Sequence, residues 1–563
     1  MYRPDLSPVG DSLALSSLVG ALPLLTLFVL LGGLRLKAHW AGLAALGTSV
    51  VVAVWAYGMP VDLALLAGTE GAAFGLFPIM WIVLAALWVH QLTVTSGRFA
   101  DLRSAFNLVS DDPRIQALII AFCFGALLEA LAGFGAPVAI TGVMLMALGF
   151  SPVRAAVTVL VANTAPVAFG AIATPIITAG TLTGIDYEDI GAYVGRQTPL
   201  LALFVPLLLV ALVDGVRGIR QTWPAALVCG GVFAVAQFVS ANYISVELTD
   251  IIASLAALGA VVAFLRVWRP AEGERVREDL RRAAERERQE AGDGAGPSGG
   301  AVPGEEDWAG GNGPVDRARI LLAFVPYLVV IAVFSVAKLW DPAKEFLADS
   351  DVSVPWPGLD GEVLTASGEQ SSTTTYVFPW LSSPGSLLLL CGVLVAAVYR
   401  VPTWDAVREF ARTVLTMRWA LLTVGSVLAL AYVMNLSGQT ITIGTWIAGA
   451  GAAFAFLSPL LGWLGTAVTG SDTSANALFA TLQQTAAGEA ELDPTLLVAA
   501  NTSGGVVGKM ISPQNLTIAA TAVGLLGKEA VLFRKAIGWS VLLLLAICLL
   551  VLLQSHVLAW MLP

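Results

Sequence analysis

The chain has 563 residues, of which 57% are hydrophobic and only 12% charged, with a formal net charge of −10. A soluble globular chain carries about 25% charged residues, so this balance excludes a soluble enzyme, and acidic residues confined mostly to connecting segments argue against nucleic acid as a partner. Apolar runs recur from Leu13 to Leu553, the pattern of an all-α polytopic membrane protein embedded in a lipid bilayer.

In chain order, the predicted elements are runs at 12–34, 38–57 and 74–95, broken segments at 115–150 and 152–180, and runs at 196–214, 223–240 and 247–268. After an interruption come 318–339, 386–399, 418–436, 440–469, a broken segment at 474–526, and 530–553. An unbroken run approaches the roughly 20 residues that carry a helix across about 30 Å of hydrocarbon, which predicts roughly 12 to 14 membrane elements. The first run lacks a basic flank and a small-residue cleavage site, so it reads as a retained helix. Residues 270–317 hold a dense Glu and Arg run, Glu272 to Glu290, then a Gly-rich stretch, Ala291 to Pro314. That composition reads as a solvated charged helix and a tether. It divides a first membrane repeat with extra helices, 1–269, from a second repeat, 318–563. Within the latter, the acidic segment 341–376 reads as an extracellular loop, and Trp404 to Met417 as an interfacial helix. Four cysteines stand in apolar stretches without metal-ligand or disulfide spacing, so no metal site or cofactor is indicated.

Short basic loops stay cytoplasmic. Arg35 and Lys37, Arg98 to Arg114, Arg217 and Arg220, Arg266 to Arg319, Arg400 to Arg418, and Arg534 and Lys535 are accordingly placed inside. The segments Tyr57 to Glu70, Asp186 to Asp189, Ala241 to Asp250 and 341–376 fall outside, as do both termini. The two halves then enter the bilayer from opposite faces.

Asn163, Thr164, Gly170, Thr174 and Pro175 recur at the same spacings as Asn501, Thr502, Gly508, Ser512 and Pro513. About 30 residues upstream each copy has a Gly-rich break, at Gly133 and Gly135 in one and at Gly470 and Ser471 in the other. Duplication with opposite orientation predicts two inverted-topology repeats with broken or re-entrant helices. Irregular backbone at that depth is tolerated where it is buried in protein or lines a cavity, and half-helix N-termini there favour an anion.

The same stretches carry a resemblance. Phe122 to Gly125 through Glu129, Ala132 to Ile140, Ala162 to Gly170, Thr469 to Ser474 and GGVVGKMISPQ at 504–514 resemble the bacterial and archaeal L-lactate permease family, over about residues 20–550. The resemblance implies proton-coupled uptake of lactate, glycolate and related 2-hydroxy monocarboxylates across the cytoplasmic membrane. The paired breaks are also similar to those of elevator-type anion carriers, by analogy only.

Ionised groups at mid-bilayer are costly and are functional suspects. Glu129, just before the Gly133 break, is the expected proton carrier, because burial there favours the neutral form. Lys509 is the only Lys between Lys344 and Lys528 and could face the substrate carboxylate, or else pair with Asp472. Asn163, Thr164, Asn501, Thr502 and Ser503 would supply hydrogen bonds, with Gly133, Gly135 and Ser471 at the breaks. Asp472 is a second proton-coupling candidate, and among hydroxyls it could instead help hold Na+, making Na+-coupled carboxylate symport the alternative. His90 is a proton-relay candidate. Arg154 and Arg196 read as interface markers. A channel would need a continuous polar lining, and an enzyme a catalytic motif that the chain lacks. Nothing in the chain bears on its oligomeric state.

Overall fold

The computed structural model describes every residue except 35, 100, 102–109, 134, 271–272, 291–316, 367 and 369. Arg35, Arg103, the Phe134 of the first break and the Gly-rich stretch of the tether therefore lie outside the described residues.

Among the described residues, eight helices are long and apolar enough to cross a bilayer, ten if two bent pairs count as spans, and three shorter apolar helices accompany them. The first three are α1 (Leu13–Gly33), α2 (Ala38–Trp55) and α3 (Val61–Thr95), the last interrupted where Phe77 leaves helical geometry before Pro78. The predicted outside segment Tyr57 to Glu70 is thus mostly helical. Glu70 lies about 14 Å along α3 from Val61 at a rise of about 1.5 Å per residue, and it is buried with both carboxylate oxygens unpartnered.

Next come α4 (Pro113–Ala132), α5 (Ala136–Ala147), α6 (Pro152–Ala162), α7 (Gly170–Thr183), α8 (Tyr187–Val194) and α9 (Thr198–Tyr243). Helix α9 is a hairpin of two spans, turned at Asp214 and Gly215, whose φ of 62° suits a residue without Cβ. Its arms touch at Gly230, where an added Cβ would come within 2.4 Å of the Leu203 carbonyl oxygen. Helix α10 (Thr249–Phe264) packs against α9, and α11 (Gly273–Glu290) is the charged helix.

The second half contains α12 (Val325–Leu339), α13 (Asp341–Asp349) and a two-stranded antiparallel hairpin, β1 (Val352–Pro355) with β2 (Thr375–Phe378), in the register Val352 to Phe378. The predicted loop 341–376 is therefore a small ordered cap. Helices α14 (Pro384–Tyr399), α15 (Thr403–Leu436), α16 (Gln439–Ala448) and α17 (Gly451–Thr469) follow. The predicted interfacial helix Trp404 to Met417 is the first part of α15, which runs 34 residues without a break because no Gly or Pro interrupts it before Gly425. The remaining helices are α18 (Asp472–Glu489), α19 (Pro494–Gly508), α20 (Pro513–Ala522) and α21 (Glu529–Gln554).

Two groups of helices emerge. Helix α15 packs on α2 and α3, and α14 packs on α3 and α12. The other group surrounds the breaks, with α17, α18 and α19 in mutual contact. There Gly462 and Gly504 let backbones touch: an added Cβ would lie 1.8 Å from the Asn501 carbonyl oxygen and 2.0 Å from that of Pro459. Small residues at such crossings gain van der Waals contact that bulkier ones would forbid.

The two halves share an order of elements. Each has a helix, a left-handed glycine (Gly135, φ 84°; Gly470, φ 78°), a second helix, a third helix beginning at Pro, a 3-10 turn and a fourth helix. The 3-10 turns, Val167–Phe169 and Lys509–Ile511, both end on an extended residue, Gly170 and Ser512. Packing between the halves is reciprocal, since α7 lies on α18 and α20 lies on α5.

Segments sort onto two faces. Tyr2 bridges to Val363 and its hydroxyl donates to the Tyr57 carbonyl oxygen at 3.0 Å. Lys338, at the end of α12, meets Glu247 at 2.9 Å, and the Arg196 guanidinium donates to the Met561 carbonyl oxygen at 2.7 Å. Elsewhere, the fully buried Arg114 ties Asp112 (2.7 Å) to Asp214 (3.1 Å), and Arg277 of α11 donates to the Asp111 carbonyl oxygen at 2.6 Å. Segments expected on the same side are therefore linked to one another.

Candidate functional site

Helix α4 buries Glu129 one turn before the first break, and α19 delivers Lys509 at its C-terminal end, where the 3-10 turn begins. The two side chains meet across the halves, Lys509 Nζ to Glu129 Oε1 at 2.5 Å, and Nζ also donates to the Gly133 carbonyl oxygen at 3.3 Å. A buried ammonium and carboxylate each cost several kcal/mol to desolvate, so each stabilises the other's charged form. Glu129 Oε2 has no hydrogen-bond partner. Two glycines cradle this carboxylate, because a Cβ at either Gly133 or Gly170 would stand 3.0 Å from Oε1.

Asp472 does not pair with Lys509, whose close partner is Glu129. It occupies the first turn of α18, behind the Ser471 N-cap, whose hydroxyl accepts from the Ser474 amide at 3.3 Å. Its Oδ1 accepts from Thr466 at 3.3 Å and its Oδ2 is unpartnered. A carboxylate at that place gains from the helix dipole.

Between the breaks is a cavity of about 40 Å3, whose wall includes Glu129, Lys509, Gly133, Gly135, Gly170, Ser471 and Asp472, together with Thr473, Gln514 and Asn515. On the same measure one water needs about 10–15 Å3, so the space takes a few waters or, with small side-chain shifts, a compact acid. Asn163 and Thr164 stand beyond the Lys509 stem, in a narrow cleft shared with Met510 and Asn515. Asn163 caps α6, with its Oδ1 buried and unpartnered.

Asn501, Thr502 and Ser503 are turned elsewhere. Helix α19 runs unbroken through them to Gly508. Asn501 donates to Asn476 Oδ1 at 2.8 Å and accepts from Gln483 at 3.2 Å, Thr502 donates to Asn476 Oδ1 at 3.1 Å, and Ser503 donates to Gln197 at 2.6 Å. None of the three lines the cavity. Their hydrogen bonds are used to hold α18, α19 and the neighbouring α9 together. His90 of α3 is buried edge-on against the Phe99 ring, centroids 5.3 Å apart, and is likewise not among the cavity residues.

Three polar residues of the cavity wall were not among the candidates drawn from the sequence. Thr473 belongs to the first turn of α18, which starts at the second break, and Gln514 and Asn515 to the first turn of α20, which starts after the 3-10 turn Lys509–Ile511; the pattern Ser512-Pro513 is the signal that could have found the last two. Asn515 donates to the Gly470 carbonyl oxygen at 3.2 Å, tying the start of α20 to the Gly470 break. Asp250, at the end of the predicted outside segment Ala241 to Asp250, does not line the cavity but is fully buried in α10 with both oxygens unpartnered.

The backbone around the cavity is under strain. Ala171, Ile172 and Ala173 are left-handed, with φ of 45°, 56° and 57°, a region that costs an L-residue about 1–2 kcal/mol each. Such a run persists where packing over-determines it, and it clusters at functional sites.

The L-lactate permease family model matches residues 16–558. The chain is 42% identical to the glycolate permease GlcA of Escherichia coli (strain K12), over 99% of this chain and 98% of that one. It is 40% identical to the L-lactate permease of Bacillus subtilis (strain 168), covering 99% of both. Among solved structures, the YdaH transporter of Alcanivorax borkumensis matches with a TM-score of 0.41 at 15% identity, over 96% of this chain and 98% of that one. The chain is a multi-pass membrane protein of the L-lactate permease family.

Proposed function

We propose that the chain is a secondary active carrier that imports lactate, glycolate and related 2-hydroxy monocarboxylates across the cytoplasmic membrane together with a proton. The names of its relatives supply the substrate class, and the Lys509 to Glu129 pair on the wall of the cavity carries the coupling argument. Lys509 is the one cation on the wall among the described residues, and it needs one counter-charge. In the empty carrier Glu129 provides it. When a monocarboxylate takes Lys509, Glu129 is left charged and unpartnered in a low-dielectric site unless it binds a proton. Substrate and proton therefore load together. Import of a lone monoanion against an inside-negative potential is opposed by about 2.3 kcal/mol per 100 mV, and one accompanying proton cancels that term.

The reciprocal packing of α7 on α18 and α20 on α5 supports an inverted repeat, with the basic face inside and both termini outside. An elevator movement of the break-bearing helices against the α2, α3 and α15 group is the arrangement most consistent with that division. The test is uptake of labelled lactate by reconstituted vesicles under an imposed pH gradient, with and without Na+. Uphill accumulation driven by the proton gradient alone is expected. Accumulation that requires a Na+ gradient and ignores pH would replace this reading with Na+ coupling, for which Asp472 and its neighbouring hydroxyls are the candidates.

A further inference from the structure

A carboxyl outside the cavity makes no side-chain hydrogen bond and no ion pair among the described residues. Asp250 sits in the first turn of α10, fully buried, and neither oxygen has a hydrogen-bond partner. Helix α10 packs directly on α4, the helix of Glu129, and on α9. The titratable and polar groups that face Asp250 are few. Helix α4 offers Glu129, with Lys509 behind it; α9 offers the Gln237 amide, which lies near without hydrogen-bond geometry and donates instead to the Ala165 carbonyl oxygen at 3.3 Å. Three residues earlier in the chain, ahead of the helix, is Glu247, also buried.

Glu247 is committed. It meets Lys338 at 2.9 Å, and accepts from Tyr187 at 2.9 Å and from Ser245 at 2.7 Å. Burial pushes its pKa up, but the Lys338 charge and these hydrogen bonds outweigh burial and hold the carboxyl below the usual range. A group so held does not exchange protons near neutrality. Asp250 is the reverse case: fully buried, with no hydrogen bond to either oxygen and no ion pair, it has nothing bonded to it that would keep a proton off, and it stands on α10 between Glu247, which precedes the helix, and α4, which carries Glu129.

We infer that Asp250 is a proton-holding station between the face bearing Glu247 and Lys338 and the Glu129 carboxylate, on a route separate from that of the substrate. The inference rests on the proton-coupled reading given above. When substrate takes Lys509, the O–H bond at Asp250 breaks and an O–H bond forms at Glu129, directly or through water, leaving Asp250 as carboxylate. A proton from the Glu247 face then restores it. One proton enters for each one passed on, and no other reactant is needed.

Two transport modes separate this role from a structural one. Exchange of labelled against unlabelled lactate needs no net proton movement, whereas accumulation driven by a pH gradient does. In vesicles containing Asp250→Asn, the exchange rate should stay within about two-fold of wild type, while gradient-driven uptake should fall roughly ten-fold or more; Asp250→Glu should restore most of it. Unchanged gradient-driven uptake, or equal loss in both modes, overturns the inference. If Asp250→Asn fails to assemble, infrared difference spectra of wild type and Asp250→Glu decide the matter. A protonated-carboxyl C=O band at neutral pH that shifts between the two is expected, and its absence overturns the inference. Wild-type vesicles that show no gradient-driven uptake at all would instead sink the proton-coupled reading itself.

Discussion

Replacing Glu129 by Gln removes the charge that competes with substrate for Lys509 while keeping the size of the side chain that Gly133 and Gly170 accommodate. Hydrogen bonds to charged groups contribute about 1.5–3 kcal/mol, and in the wild type that contribution from the 2.5 Å contact must be given up when substrate binds. Without the competitor, binding of a monocarboxylate should tighten by roughly 10- to 150-fold. The pH dependence should change as well. On the proposed coupling the wild type binds the anion together with a proton, so apparent affinity should fall as pH rises; in Glu129→Gln no proton is taken up and affinity should be flat. Breaking a buried pair by removing one partner costs about 3–5 kcal/mol, so the empty variant should unfold at lower temperature and be stabilised by substrate more than wild type is. Binding of labelled lactate to purified protein across pH, thermal unfolding with and without substrate, and vesicle uptake measure these effects. An unchanged pH slope of binding, or uphill accumulation by Glu129→Gln on a proton gradient alone, refutes the competition argument.

Other substitutions test neighbouring steps. Lys509→Met should weaken substrate binding by roughly 10- to 150-fold, and unchanged affinity in equilibrium binding would remove Lys509 from the site. Gly170→Ala places a Cβ 3.0 Å from Glu129 Oε1 and 3.1 Å from its Cγ at a backbone φ of −65° that any residue adopts; gradient-driven uptake should fall with little loss of thermal stability, and a normal uptake rate would mean that the carboxylate moves freely. Asn501→Ala should leave substrate affinity within about two-fold but cost about 1–3 kcal/mol of stability, through the buried partners it strands; a large affinity loss without destabilisation would return Asn501 to the site.

Much of the membrane architecture was legible because it follows from backbone chemistry. The first break at Gly135, the second at Gly470, and the turn of α9 at Gly215, between the predicted runs 196–214 and 223–240, all fall where glycine permits a conformation that other residues resist. The carboxylates were harder. Glu70 and Asp250 each stand near the edge of an apolar run, where a single charge reads as the start of a loop, and only three-dimensional packing shows that α15 and α9 close over them. The pairing of Lys509 with Glu129 joins residues 380 positions apart, and no spacing rule reaches that far. Asp472, nearer in sequence, was the natural alternative partner for Lys509. Its place at a helix N-terminus, with Gly505 leaving no room beyond Oδ1 (an added Cβ would lie at 1.9 Å), keeps it apart.

The repeat itself shows why the site is asymmetric. Matching by residue type aligns Asn163 with Asn501, 338 positions on, whereas the extended residues that end the two 3-10 turns, Gly170 and Ser512, are separated by 342. The difference of four is about one helical turn, so the Asn-Thr pair keeps its helix face in both copies but moves one turn along it. In the first copy α6 ends at Ala162 and Asn163 caps it beside Lys509; in the second α19 continues to Gly508, and Asn501 is carried back into the packing with α18. By the structural register, Lys509 corresponds to Val167 and Asn163 to Gly505. The first copy thus brings a carboxylate without a cation and the second a cation whose equivalent in the first is apolar. Two halves with the same order of elements but these unlike residues hold one ion pair rather than two, which fits the proposed loading of one anion with one proton.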